Sequence, residues 1–179
     1  MAIANNEIRY TTNDGQIVTP NGLTPTANTY SDGKGVMTFA SDVTTIPNNF
    51  LSGTTTLTSV ELPPSVLAVG NNCFRGCHNL TAATLQEGVT GIGTYVFTST
   101  NLVDFGWPST VTTISGDSYG SFWPSGATWA GDTLKHTMRI NARNMNGYCC
   151  WNNLRLNEII FSENVTGGSS GDYYYNGQG

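Results

Sequence analysis

Apolar positions along this chain recur on a period far longer than that of a helix or a strand. Val43-x-x-Ile46 returns as Val66 to Val69, Val89 to Ile92 and Val111 to Ile114, in steps of 23, 23 and 22 residues. Each unit leads to an aromatic residue (Phe50, Phe74, Phe97) and then to a leucine (Leu57, Leu80, Leu102). Beyond the leucine comes a pair two residues apart: Val60/Leu62, Ala83/Leu85 or Phe105/Trp107. A second spacing is stricter. Phe39/Val43, Leu62/Val66, Leu85/Val89, Trp107/Val111 and Phe161/Val165 all lie four residues apart, with turn formers such as Pro63-Pro64-Ser65 between them. Self-similarity at a fixed period of this length marks a repeat architecture.

The spacings predict the elements. Inward side chains at i and i+2 describe a short strand with one buried face. Pro or Gly then turns the chain, Val-x-x-Ile supplies a second inward wall, and a compact turn carrying the aromatic closes the coil. Coils stacked by parallel strand pairing lie about 4.8 Å apart, so like residues form ladders. Asn48-Asn49 and Asn71-Asn72 fall where the chain bends hard, and asparagine tolerates a left-handed backbone. The expected fold is a parallel β-solenoid of about six coils over residues 36–165.

The pattern is interrupted over 115–133, a Gly/Ser/Trp/Tyr-rich insertion. It resumes with Met138 and Ile140, then with Leu156, Ile159 and Phe161. Residues 166–179 form a Gly/Ser/Tyr-rich tail without periodicity. The first 35 residues differ again. Glu7 to Thr12 and Gln16 to Thr19 flank Asn13-Asp14-Gly15, which predicts a β-hairpin. That hairpin is expected to cap the N-terminal end of the stack, since open repeat ends need a cap.

Composition narrows the function classes. Charged residues are 11% of the chain, against roughly 25% in an ordinary domain. Thr (26) and Asn (19) suit short strands and tight turns rather than surface helices. A net charge of −5 with only two lysines argues against a nucleic-acid partner. No apolar run is long enough to span a bilayer as a helix. The first residues, Met1-Ala2-Ile3-Ala4-Asn5-Asn6, lack the charged and apolar regions of a signal peptide.

With these residues laid out, the sequence resembles the BspA-like leucine-rich-repeat family. The resemblance rests on Leu62-Pro63-Pro64-Ser65-Val66 and on the run from Val66 through Val69, Cys73, Phe74, Gly76 and Cys77 to Leu80. Residues 36–114 match the pattern well and 134–165 more loosely, and Asn6 to Gly15 is similar to the leader that precedes such repeats. The resemblance implies a parallel leucine-rich-repeat stack and a role in attachment, displayed on a bacterial surface or on a phage virion.

Candidate chemistry is sparse. His78 and His136 have no nucleophile and carboxylate in a recognisable arrangement, so no catalytic residue is assigned. Cys73, Cys77, Cys149 and Cys150 read first as buried thiols, with a disulfide or a metal as the alternatives, and adjacent Cys149-Cys150 is poor metal spacing. Asn79-Leu80-Thr81 and Asn164-Val165-Thr166 fit the glycosylation sequon. Acidic residues lack calcium-loop spacing. No metal and no cofactor are therefore expected.

The strongest functional signal is aromatic. Trp107, Trp123, Trp129 and Trp151 fall within 45 residues, beside Tyr119, Phe122 and Tyr148. Trp107 continues the Leu62/Leu85 ladder and reads as core. Trp123, Trp129, Tyr119, Phe122, Tyr148 and Trp151 belong to no ladder; they form either a local core or a ligand-binding face. The Tyr/Ser/Gly/Asn/Trp mixture around them is that of adaptable recognition loops. The expected function is non-catalytic recognition of a host-surface glycan or protein. The other reading is a structural part docked into a larger particle beside other virion or surface proteins, with homo-oligomerisation as one form.

Overall fold

The computed structural model describes residues 2–102, 104–106, 108–111 and 113–114, together with the strand backbones at 136–140 and 156–161. All regular structure among these residues is β. The first sheet contains β1 (Glu7–Thr12), β2 (Ala27–Ser31), β3 (Lys34–Thr38), β5 (Leu57–Glu61) and β7 (Ala82–Thr84), in the order β2-β3-β1-β5-β7. The second holds β4 (Thr45–Ile46), β6 (Ala68–Val69), β8 (Gly91–Ile92) and β10 (Thr113–Ile114), all parallel. In the third, β11 (His136–Ile140) pairs in parallel with both β9 (Asp104–Gly106) and β12 (Leu156–Phe161).

The registers follow the sequence period. Ile46 pairs with Val69, Val69 with Ile92 and Ile92 with Ile114 along the second sheet. Val60 pairs with Ala83 on the first, and Met138 stands between Phe105 and Ile159 on the third. Val43, Val66, Val89 and Val111 are all buried, as are Leu62 and Leu85. The four-residue offset is a closed turn: the Val66 and Val111 amides donate to Pro63 O and Pro108 O, both at 3.1 Å, and Val89 N–H donates to Gln86 O. Each fully buried Leu, Val or Phe contributes about 1.5–3 kcal/mol through apolar burial, which is why the ladders define the core.

One ladder differs from the expected Phe50, Phe74 and Phe97. The turn amides of Leu51 and Phe74 donate to Cys73 O and Val96 O of the following coil, at 2.8 and 2.9 Å. Each bond reaches 22 residues ahead, and the positive-φ residues on either side recur every 23, which aligns Leu51 with Phe74 and Phe97, and Phe50 with Cys73 and Val96. Phe74 and Phe97 stack at 5.4 Å, and Phe97 meets Phe105 at 5.0 Å. Cys73 is therefore a small apolar filler in a column that holds phenylalanine one coil earlier.

The bends carry left-handed residues in two columns. Asn49, Asn72 and Tyr95 have φ of 59°, 57° and 56°, and Gly53, Gly76 and Ser99 have 75°, 75° and 60°. The asparagine before each bend links coils. Asn48 Oδ1 accepts from Asn71 N–H at 2.7 Å, and Asn71 Oδ1 accepts from Thr94 N–H at 2.9 Å.

The N-terminal hairpin also differs from expectation. Gln16 to Thr19 forms no strand, and β1 instead pairs antiparallel with β3 and β5. Asp14 Oδ1 accepts from Gln16 N–H at 3.1 Å, so Asn13-Asp14-Gly15 makes a local side-chain turn instead of joining two strands. The hairpin that does form is β2–β3, joined by Asp32-Gly33 with φ of 50° and 75°. Two successive positive φ values give the primed turn whose twist suits a hairpin.

Candidate binding face

Alternation along β1 decides which side chains leave the core. Ile8, Tyr10 and Thr12 are buried, and Glu7, Arg9 and Thr11 face outward. Tyr10 seals the inner side: its ring covers Gly35 on β3, where a Cβ would collide with it. Its hydroxyl donates to Asn28 Oδ1 at 2.7 Å, and its ring centre lies 5.9 Å from that of Tyr30. Burial raises the Tyr10 phenol above its ordinary value, with the hydrogen bond from Val18 N–H opposing the rise.

Outward from this packed layer lies an open groove of about 390 Å³, lined by Arg9, Tyr10, Thr11, Lys34, Val36, Ser59 and Glu61. Three strands build it, because β1 lies between β3 and β5. Thr11 Oγ1 bridges to Thr58 Oγ1 and Ser59 Oγ, each at 2.6 Å, and locks the floor. The Arg9 guanidinium donates to Glu7 Oε2 at 3.3 Å and to Ala2 O at 3.1 Å, which holds it along one rim. Arg9 also stands opposite Glu61 in the β1–β5 register. The Lys34 ammonium and the Glu61 carboxylate make no hydrogen bond or ion pair with the described residues. Hydroxyls beside the Arg9 and Lys34 cations and the Glu61 carboxylate, with Tyr10 and Val36 supplying apolar surface, suit a ligand that offers both polar groups and an apolar face.

The expected aromatic face, Tyr119, Phe122, Trp123, Trp129, Tyr148 and Trp151, lies outside the described residues, as do Trp107, Cys149, Cys150 and the sequon at Asn164. Asn79, of the other sequon, is exposed and donates from Nδ2 to Thr55 O at 2.7 Å. His78 is an exposed turn residue. Cys73 and Cys77 are free thiols sunk in the core, donating to Pro47 O and Leu51 O at 3.0 and 3.1 Å. Burial pushes both thiols up to about 12 and makes them poor nucleophiles. Among the described residues no group of three or more His, Cys, Asp and Glu could hold a metal ion, and no helix is long and apolar enough to cross a membrane.

The outward residues of this sheet were not singled out from the sequence. Two signals pointed to them: the alternation of Glu7-Ile8-Arg9-Tyr10-Thr11-Thr12, and the polar neighbours Ser59 and Glu61 of the ladder pair Val60/Leu62.

Among solved structures, the chain is similar to a leucine-rich repeat protein from Bacteroides ovatus, at 16% identity and a TM-score of 0.43 over 68% of this chain. It spans 35% of that protein's length. It is also similar to a leucine-rich repeat protein from T. pallidum, at 20% identity and a TM-score of 0.40, over 78% of this chain and 80% of the other. No curated protein matches it. A family model described as the BspA type leucine rich repeat region matches residues 34–122 in six copies. That match covers the coils from β3 to β10, whose ladders and turns are described above, and the chain belongs to the BspA type leucine-rich-repeat family.

Proposed function

We propose that this chain is a non-catalytic recognition module that attaches to a host-surface glycan or protein, displayed on a bacterial surface or on a virion. One observation carries the reading: an outward, preorganised groove of mixed polar and apolar lining in which Lys34 and Glu61 have no partners among the described residues. Stacked repeats characteristically bind through such extended sheet faces. In this reading the stack continues as a solenoid of about six coils over 36–165, and residues 1–35 shield its first coil. β1 supports the shielding role, since it lies antiparallel against β5 where a preceding coil would pair in parallel. The aromatic residues Trp123 and Trp129, with Tyr119, Phe122, Tyr148 and Trp151, remain a second candidate contact region.

A glycan array and a whole-cell binding assay test the reading on three proteins: the natural chain, Lys34→Ala/Glu61→Ala and Trp123→Ala/Trp129→Ala. The groove variant is expected to lose at least about tenfold in attachment with an unchanged melting midpoint, since removing an anchoring contact commonly costs that much. Full attachment by the groove variant, with loss in the tryptophan variant, would move the site to the insertion. Attachment by none of the three would leave assembly into a larger particle as the better reading.

A further inference from the structure

Among the described residues the first sheet ends on β2, whose single hydrogen-bonded neighbour there is β3. The register across the Asp32-Gly33 turn decides which backbone groups are left over. Ser31 opposes Lys34, Thr29 opposes Val36 and Ala27 opposes Thr38. A two-residue turn is closed by a hydrogen-bonded pair, and bonded and non-bonded pairs then alternate. Ser31, Thr29 and Ala27 therefore turn their amides and carbonyls towards β3, while Asn28 and Tyr30 turn theirs to the open edge. The far side of β3 agrees with this parity, because Phe39 N–H donates to Asn6 O at 2.9 Å, towards β1.

We propose that two copies of this chain associate through this edge, β2 against β2 in antiparallel order, about a two-fold axis at Thr29. In that register Asn28 of each copy faces Tyr30 of the other, and the two pairs exchange four main-chain hydrogen bonds. Thr29 faces Thr29 as the intervening non-bonded pair, with both side chains on the exposed face. No other centre lets one strand with two outward residues satisfy both in both copies.

Several features of the strand favour a second copy as occupant. Residues Thr26 to Ser31 carry no charge, so self-pairing sets no like charges opposite one another. The strand also lacks the lysine, proline or bulge with which proteins blunt an open edge. It is ordered before it pairs. Asn28 Nδ2 donates to Val18 O at 2.7 Å and Thr12 N–H donates to Tyr30 Oη at 3.1 Å, so little conformational entropy is lost on association. With four hydrogen bonds and a five-residue strand, the pair belongs to the weak, concentration-dependent class. Each copy carries a net charge of −5, so association strengthens as salt screens that repulsion.

Sedimentation velocity over a concentration series tests the proposal on the natural chain, Thr29→Lys, Thr29→Glu and an equimolar mixture of the two variants. The natural chain is expected to dimerise, each charged variant to weaken dimerisation at least about tenfold, and the mixture to recover it. A second arm uses Thr29→Cys and Ser31→Cys with Cys149 and Cys150 replaced by serine. A non-bonded antiparallel pair has a Cα separation suited to a disulfide, so Thr29→Cys cross-links under mild oxidation and Ser31→Cys does not. A natural chain that stays monomeric up to about 1 mM, where even a weak pair would form, overturns the proposal. So does a dimer indifferent to both charges at Thr29, or equal cross-linking of the two cysteine variants.

Discussion

Gly70 and Gly93 are not at left-handed positions, yet neither can accept a side chain. A Cβ at Gly70 would lie 2.6 Å from Asn48 Oδ1 and 2.9 Å from Ile46 O, and one at Gly93 would lie 2.7 Å from Asn71 N. The neighbours are backbone and a hydrogen-bonded amide, so they cannot swing aside. Gly70→Ala is expected to destabilise by about 1–3 kcal/mol through overpacking, and to break the Asn48–Asn71 link between coils. Gly15→Ala, strained at φ +70° but with open space around its Cβ, should cost only about 1 kcal/mol; denaturant melts compare the two. Ser99 is the converse case, because it holds φ +60° in the column where Gly53 and Gly76 stand. Ser99→Gly should raise stability by about 0.5–1 kcal/mol, read from the same melts. The doubled asparagines announced the bend at Asn49 and Asn72. Tyr95 and Ser99 gave no such sign, since stacking on the preceding coil imposes their backbone against local preference.

A ladder position and the turn beside it should respond very differently to truncation. Leu85 is 8% exposed at the end of its strand pair, and Leu85→Ala should cost about 2–5 kcal/mol by leaving a cavity. Gln86→Ala should cost under about 0.5 kcal/mol, because the turn uses the Gln86 carbonyl to accept from Val89 N–H and the substitution keeps it. Equal midpoints for the two variants would contradict the register. The strand ladders were legible because valine, isoleucine and leucine recur at fixed offsets. The phenylalanine column misled by one residue, since Phe50 and Leu51 are both buried and either could have headed it. The hairpin misled for a related reason: Asn-Asp-Gly and Ser-Asp-Gly are equally good turn signals, and only the pairing of β1 with distant β5 chooses between them.

For the molecule as a whole, stability should be level near neutrality and fall at both extremes of pH. Glu87 accepts from Ser109 N–H at 3.1 Å and from Ser109 Oγ at 2.8 Å, and these bonds hold its carboxyl below the ordinary value of 4.5. Its contribution is present above that value and is lost as pH falls through the folded one. The Cys73 and Cys77 thiols move from 9.0 to about 12, so their contribution is complete below pH 9.0 and is lost as pH rises towards 12. Melts of Glu87→Gln across pH should show a flatter acid limb than the natural chain, with the alkaline limb unchanged. The candidate groove was hidden at this scale because its residues come from three stretches that meet only in the folded sheet. Conspicuous aromatic clustering pointed to the insertion and to Tyr148 and Trp151 instead. The close-packed amide ladder, finally, bears on how such a chain can change its length. Asn48 to Gly70 and Asn71 to Gly93 are tandem segments, each opening on the asparagine that bonds forward and closing on the glycine that gives it room. A gene duplication of either segment would recreate the same Gly–Asn junction at both of its ends. Descendants could thus become taller or shorter in increments of one coil, about 4.8 Å, without inventing a new joint.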